Sequence, residues 1–130
     1  MNKDIYLKMK KARKLNKENY YGYIEYKINL VDMHNLKCQK YASQMKFRLK
    51  EGEGKCIYNI GYNDEGFPIG LSENDATISL NNINKIIDLI GAEIKSKKIF
   101  EGDCGIVINL MIIIPINKLG YDSDIIDFIR

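Results

Sequence analysis

Two hydrophobic periods recur along this chain and together predict an α+β domain. Apolar and polar residues alternate over residues 23–31, which predicts a first core strand. The side chains predicted to face the core are Ile24, Tyr26, Ile28 and Leu30. A period of three to four residues follows over residues 34–50 and predicts the first helix, with Asp32 placed to cap it.

The first predicted helix has an apolar stripe and a basic outer side. The stripe consists of Cys38, Tyr41, Ala42, Met45 and Leu49. Away from it lie Lys37, Lys40, Phe47 and Arg48. Phe47 stands where a polar residue is expected, so its ring is predicted to face outward between positive side chains.

A hairpin is predicted after this helix. Gly52 and Gly54 end the helix and free the backbone for left-handed or tight-turn geometry. Residues 56–62 and 67–71 are predicted as the second and third strands, joined by a turn at residues 63–66.

The second helix has both a start and a stop signal. Ser72 with Asp75 forms a capping-box-like start, and Gly91 marks the end. Its apolar positions are Ala76, Leu80, Ile83, Ile87 and Ile90. Strands are predicted at residues 92–100 and 106–114, so the order is β-α-β-β-α-β-β. This order predicts a ferredoxin-like split βαβ sandwich, with two helices on one face of a mostly antiparallel sheet.

Size and charge divide the chain into three parts. Its 130 residues suit one domain, which we place at residues 21–116. Residues 1–20 form a basic N-terminal arm, here called the arm, and residues 117–130 are predicted to be a linker. The net charge of +3 comes from the arm, whose basic residues include Lys10, Lys11, Arg13 and Lys14. The arm is expected to be either a frayed, partly helical connection or a binding segment for RNA or a partner.

The residue types of catalytic and metal sites are sparse. The three cysteines lie far apart, and the single histidine, His34, lies at a helix start. Residues 52–55 read Gly-x-Gly-Lys, but they follow a helix, whereas a phosphate loop precedes one. We therefore predict no catalytic, cofactor or metal site in this chain. No signal peptide or membrane span is apparent, so a soluble, cytoplasmic protein without a membrane partner is expected.

Two surfaces are candidates for binding. The first combines the basic side chains of the arm with Lys37, Lys40, Phe47 and Arg48, which supply charge for phosphates and a ring for stacking. The second is the sheet face without helices, where Tyr58 and Tyr62 are predicted to lie side by side. These tyrosines are expected either to stack on bases or to pack against the arm, the tail or a neighbouring domain.

Residues 44–72, QMKFRLKEGEG…IYNIGYNDEGFPIGLS, resemble a pattern of the GTP-binding-protein family of elongation-factor-like translational GTPases. That pattern is QMKWRL-x-EG-x-G-x-x-x-Y-x-IG-x-x-D-x-G-x-x-x-GLS, and Ser79-Leu80 continues it. Roughly residues 25–115 fit the family's order of elements. Phe47 stands where the family typically has Trp, which keeps an aromatic ring off the core face.

The resemblance implies a non-catalytic N-terminal accessory domain that docks on a GTPase (G) domain and offers a basic surface to RNA or the ribosome. GTP and Mg²⁺ are then expected only in the G domain, which is absent from these residues. Residues 127–130 resemble the approach to the first strand of that domain, so the natural chain is expected to continue. Two alternatives remain, a free-standing RNA-binding module and a small-molecule-sensing regulatory dimer.

Overall fold

A computed structural model describes residues 9–119 of the chain. The strands are β1 (Ile24–Lys27), β2 (Lys55–Ile60), β3 (Glu93–Glu101) and β4 (Ile106–Ile113). The helices are α1 (Asn35–Glu51) and α2 (Glu73–Ile90), and a short 3-10 helix follows at Ile116–Lys118. The predicted linker falls mostly outside the described residues.

The four strands form one mixed sheet in the order β1-β2-β4-β3. β1 pairs with β2 in parallel, and β4 is antiparallel to both β2 and β3. α1 and α2 contribute to one hydrophobic core with β2 and β4, which places both helices on the same face of the sheet. The α+β class is confirmed, and the arrangement is consistent with the predicted ferredoxin-like split βαβ fold.

The core under the helices is aliphatic, and the predicted helix stripes supply much of it. Its fully buried side chains include Met45, Leu49, Ile83, Ile86, Ile108 and Leu110. Ser72 caps α2 by accepting a hydrogen bond from the Asp75 amide, and Gly91 ends α2 in the left-handed conformation, as predicted. His34, and not Asp32, caps α1, because the His34 ring accepts a hydrogen bond from the Lys37 amide.

The first strand differs from the prediction in length and in facing. β1 contains four residues, and Ile24 and Ile28 are exposed. Glu25 lies opposite Tyr58 on the helix-covered face, and Tyr26 lies opposite Asn59 on the other face. The predicted core-facing set is therefore right for Leu30, which is buried in the helix-covered core, and for Tyr26, which is buried on the other face, but wrong for Ile24 and Ile28. Glu25 is buried in their place because it forms an ion pair, which hydrophobicity alone does not predict.

The predicted third strand is also wrong. Residues 67–71 form only a single antiparallel bridge, between Leu71 and Ile106. Pro68 lacks an amide donor, and Gly70 has a φ of 103°, so a regular ladder cannot form there. The segment is held instead by individual main-chain bonds, such as that from the Gly70 amide to the Gly61 carbonyl (2.9 Å).

The arm covers part of the sheet face that lacks helices. It is extended and not helical over its described residues, and it pairs in parallel with the end of β3 through Lys11 and Glu101. Its Ala12 amide donates to the Glu101 carbonyl (2.8 Å), and its Leu15 amide donates to the Gly66 carbonyl (2.8 Å). The prediction of a frayed helical arm is therefore wrong for residues 9–20.

The turn at Gly66 explains how the arm can lie so close to the domain. Gly66 has a φ of 93°, which side chains other than glycine rarely tolerate. A Cβ atom there would also collide with the Leu15 carbonyl group. The glycine of the predicted turn thus serves both the turn itself and the docking of the arm.

Candidate partner-binding surfaces

Arg48 is a buried structural residue and not part of the predicted basic surface. It is 4% exposed, and its Nε donates to Glu25 Oε1 at 3.0 Å. Its two terminal nitrogens donate to the carbonyls of Gly22 (2.9 Å) and Asn19 (3.0 Å). The guanidinium therefore fastens the segment that leads from the arm into β1 onto helix α1.

Two carboxylates surround this guanidinium. Glu18 Oε2 lies 3.8 Å from Arg48 and accepts a hydrogen bond from the Tyr26 amide at 2.6 Å. Burial, together with the hydrogen bond and charge of nearby Glu25, raises the pKa of Glu18 from 4.5 to about 7. Lys27 lies 3.7 Å from Glu25, so Arg48 and Lys27 together offset much of the negative charge.

Exposed aromatic rings lie on and beside the segment that Arg48 holds through the carbonyls of Asn19 and Gly22. We call Tyr20, Tyr21 and Phe47 the aromatic patch. Tyr20 is 78% exposed, Tyr21 67% and Phe47 38%. The Tyr20 ring lies 5.1 Å from that of Tyr21 and 6.4 Å from that of Phe47. Arg48 Cζ lies 5.6 Å from the Phe47 ring centre, a cation–π contact that steadies Phe47 from beneath.

A cleft of about 600 Å³ adjoins this patch. It is lined by Tyr20 and Phe47 and by polar and charged side chains, namely Glu18, Glu25, Lys40, Ser43, Gln44 and Arg48. Lys40 is exposed and lies on α1 beside the cleft, so the predicted pairing of Phe47 with Lys40 on one surface holds in the structure.

A second cleft, here called the arm groove, lies between the arm and the sheet. Its volume is about 530 Å³. It is lined by Lys10, Lys11, Ala12, Arg13, Leu15, Asn59, Tyr62, Lys98, Phe100, Val107 and Asn109. Three of the predicted arm cations are thus brought together, and Lys98 of β3 joins them.

The remaining predicted cations lie elsewhere. Lys37 forms an ion pair with Asp32 at 3.2 Å, and its hydrogen bond with that carboxylate raises the pKa of Lys37. Lys14 lies over the Phe67 ring, 5.0 Å from its centre. Neither residue lines the two clefts.

The two candidate tyrosines are on opposite faces of the sheet. Tyr58 is buried in the helix-covered core, where burial raises its pKa well above 10.0. Tyr62 packs with Tyr26 and Val107 on the other face, and its hydroxyl donates to the Arg13 carbonyl at 3.2 Å. β2 ends at Ile60, and Gly61 with a φ of 99° breaks the alternation, so the prediction of one shared face is wrong.

Reactive and metal-binding groups are few in the described part of the chain. Burial raises the pKa of Cys56 to about 12, which keeps this thiol protonated, whereas Cys104 is exposed. Residues 9–119 contain no group of three or more His, Cys, Asp or Glu side chains arranged for a metal ion. Over the same residues, neither helix is long and apolar enough to cross a membrane.

Sequence reasoning missed three components of these surfaces. Tyr20 and Tyr21 lie at the boundary between the arm and the domain and were given no role, although two adjacent tyrosines beside a basic segment are visible in the sequence. Lys98 reaches the arm groove through the sheet order, which no local pattern shows. Asn59 and Asn109 lie opposite each other in the β2–β4 ladder, and Asn109 Nδ2 donates to Asn59 Oδ1 at 2.8 Å.

Comparison with known proteins gives partial matches. GTP-binding protein 2 of Mus musculus and that of Homo sapiens are each 38% identical to the chain over 73 residues. The match spans 56% of the chain and 12% of those relatives. Uncharacterized protein R625 of Acanthamoeba polyphaga mimivirus is 38% identical over 80 residues, or 61% of the chain and 43% of that protein.

The chain therefore spans only about an eighth of the length of GTP-binding protein 2. No family model matches the chain, and no solved structure matches it. The partial identity supports a link between this chain and the GTP-binding proteins, in the coarse sense of a domain associated with a GTPase.

Proposed function

We propose that this chain is a non-catalytic accessory domain of an elongation-factor-like GTP-binding protein that acts in translation in the cytoplasm. The aromatic patch would dock on the G domain, and the basic arm would face RNA or the ribosome. GTP and Mg²⁺ would be bound by the G domain. The identity shared with GTP-binding protein 2 and the resemblance of residues 44–72 to the family pattern support this role.

The observation that carries the proposal is the aromatic patch on its fixed support. Large rings that are exposed in a free domain and held in place bind partners at low entropic cost. Arg48 holds the patch through main-chain bonds at Asn19 and Gly22, and Glu51 adds a bond from the Gly22 amide at 3.0 Å. The main-chain carbonyls of Asn19 and Gly22 and the amide of Gly22 are therefore all hydrogen-bonded, so the backbone that carries Tyr20 and Tyr21 is held in place.

The G domain is the proposed occupant because Phe47, one of the three rings of the patch, lies in the segment that carries the resemblance. Phe47 and Arg48 are consecutive in the QMKFRL sequence, yet one side chain is exposed and the other is buried beneath it. A motif that uses a buried arginine to support an exposed ring is better explained by an interface than by the needs of the core.

Calorimetric titration of the 130-residue chain with the G domain of its parent protein tests this role. We expect Phe47→Ala to weaken the association at least about tenfold, which is typical of a central interface residue. Its free energy of unfolding should fall by less than about 1 kcal/mol, because the ring is already partly in water.

The matched control is Leu36→Ala, which removes another exposed apolar side chain from α1 outside the patch and should leave the association unchanged. Equal affinity of the Phe47→Ala variant and the wild type would overturn the docking role. A loss of stability of several kcal/mol in the isolated chain would instead make Phe47 a core residue.

The arm groove favours a second candidate, a free-standing RNA-binding module. Such a module would bind RNA without any G domain, and the dependence of log K on log salt would weaken when Lys10, Lys11, Arg13 and Lys14 are neutralised. Absence of RNA binding at low salt would exclude this candidate while leaving the docking role intact.

A further inference from the structure

We propose that the arm groove binds single-stranded RNA, with phosphates on its basic rim and one unpaired base at the Asn59–Asn109 pair on its floor. This inference deepens the RNA part of the proposed function and rests on it. It does not depend on docking to a G domain, because the arm groove and the aromatic patch share no residue.

The first argument is charge. The groove is lined by four cations, Lys10, Lys11, Arg13 and Lys98, and by no acidic side chain. None of these four forms an ion pair with the described residues of the chain, whereas Lys17, Lys27, Lys37 and Arg48 all do. Exposed cations gathered at one cleft without internal counter-charges attract a polyanion and release its counterions when it binds.

The second argument is the amide pair on the floor. Asn59 is only 4% exposed, yet its side chain makes one hydrogen bond, to Asn109. Two amides carry four N–H groups and four carbonyl lone pairs in total, so the one hydrogen bond between them leaves three of each available to a ligand or to water. The edge of a nucleobase also carries a donor beside an acceptor, and both amides line the groove from which such a base would approach.

The third argument is the shape of the surface, which favours a polymer over a single nucleotide. A neighbouring groove of about 590 Å³ shares Leu15, Asn59 and Asn109 with the arm groove, so the two meet at the amide pair. The neighbouring groove is also lined by Lys17 and by Tyr23, which is not part of the aromatic patch. A strand crossing the sheet face would find cations at one end, amides in the middle and a ring for stacking at the other end.

Fluorescence anisotropy of the 130-residue chain with a labelled single-stranded RNA of about ten nucleotides tests this proposal, at several salt concentrations. We expect Lys98→Gln to lower affinity at least about threefold and to reduce the magnitude of the salt slope by about 0.7, the value for one single-strand phosphate contact. Asn109→Ala should lower affinity about threefold or more with no change of slope, because it removes a base contact and no charge.

The matched control is Lys97→Gln, which removes an exposed cation from the adjacent position of β3 that does not line the groove. Its affinity and slope should stay close to those of the wild type. Equal losses from Lys97→Gln and Lys98→Gln would overturn the proposal, because binding would then reflect net charge alone.

Two competitors complete the test. A duplex RNA of the same length should compete poorly, because its bases are not free to reach the amide pair, and a nucleoside monophosphate should compete only at far higher concentration. Equal competition by the duplex would overturn base recognition, and equal competition by the monophosphate would replace RNA by a mononucleotide as the ligand. Two controls separate loss of binding from other causes. Circular dichroism should show that each variant is folded like the wild type. Phe47→Ala, which weakens docking to the G domain, should leave RNA binding unchanged.

Discussion

The two faces of the sheet are built in different ways. The helix-covered face is closed by the aliphatic stripes of α1 and α2, whose side chains interlock with those of β2 and β4. The opposite face is partly covered by the arm, an extended segment attached mainly through main-chain hydrogen bonds to Glu101, Gly66 and Asp64. Its small apolar cluster consists of Tyr26, Tyr62 and Val107, with Ala12, Leu15 and Phe100 packed against it.

Because of this difference, we expect the helix-covered face to contribute mainly to stability and the arm face mainly to binding. The helices pack their aliphatic side chains closely against the sheet, whereas the irregular arm touches the sheet only at intervals, and two grooves lie between its contacts. Cations, amides and tyrosine rings remain accessible there. We therefore expect substitutions on the helix side to change folding and those on the arm side to change recognition.

The largest effect is expected at Arg48, which joins the two faces. Arg48→Ala should lower the free energy of unfolding by about 3–5 kcal/mol, because it removes the nearest cation from the carboxylates of Glu18 and Glu25 and leaves only Lys27 beside Glu25. Urea unfolding measures the change. Lys46→Ala, which removes an exposed cation from the same helix, should cost less than about 0.5 kcal/mol. A cost below about 1 kcal/mol for Arg48→Ala would show that the arm is held by other contacts.

Matched truncations on the two faces sharpen the comparison. Ile83→Ala removes a fully buried side chain from the helix-covered core and should cost about 2–5 kcal/mol. Leu15→Ala removes a half-buried side chain from the arm and should cost less than about 2 kcal/mol, since water already reaches part of it. Thermal and urea unfolding both report these changes. Equal costs would mean that the arm contributes to a core as tightly packed as the one beneath the helices.

The arm face should also respond to pH. The pKa of Glu18 is about 7 in the folded chain against an ordinary value of 4.5, so the folded state holds this proton more tightly. Its contribution to stability is present below pH 4.5 and is lost as pH rises through about 7. We expect a loss of about 1 kcal/mol over this interval, less than the full shift implies because solvent screens part of the carboxyl.

Glu18→Gln checks this dependence, because the amide cannot titrate. Urea unfolding between pH 5 and 8 should show a flatter profile for the variant than for the wild type. Glu65→Gln, at an exposed position that pairs loosely with Lys17 at 3.9 Å, should retain the wild-type profile. A wild-type profile in the Glu18→Gln variant would place the titrating group elsewhere.

The smallest effect is expected at Tyr58. Its hydroxyl is buried and finds no hydrogen-bond partner among the described residues. Tyr58→Phe should therefore leave the free energy of unfolding unchanged or raise it by up to about 1 kcal/mol, because it removes an unsatisfied polar group and keeps the ring. A loss above about 1 kcal/mol would reveal a partner for this hydroxyl.

The helix-covered face was largely predictable from the sequence. The positions of Ala76, Ile83 and Ile87 follow the helical period, and their burial confirms it. Period and cap residues are local signals that one helix carries within itself. The same logic failed for Arg48, because the side of α1 that carries it meets β1 and the arm, and no helical wheel contains those neighbours.

The arm face was less predictable, for two physical reasons. Main-chain bonds such as that from the Glu18 amide to the Asp64 carbonyl leave no side-chain period to detect. A single left-handed residue, Gly61, also breaks the alternation on which the placement of Tyr62 relied. The clustering of Lys10, Lys11 and Arg13 was predicted from their adjacency, whereas the addition of Lys98 required the sheet order.

Amide hydrogen exchange of the wild-type chain tests most directly whether the arm is part of the fold. If the arm forms the second face, the amides of Ala12, Leu15 and Glu18 should exchange far more slowly than unstructured amides, because each donates to a carbonyl of the domain within 2.8 Å. The exposed, unbonded amides of the arm should exchange quickly in the same sample. Unprotected exchange at all three positions would contradict the docked arm and, with it, the groove that is proposed to bind RNA.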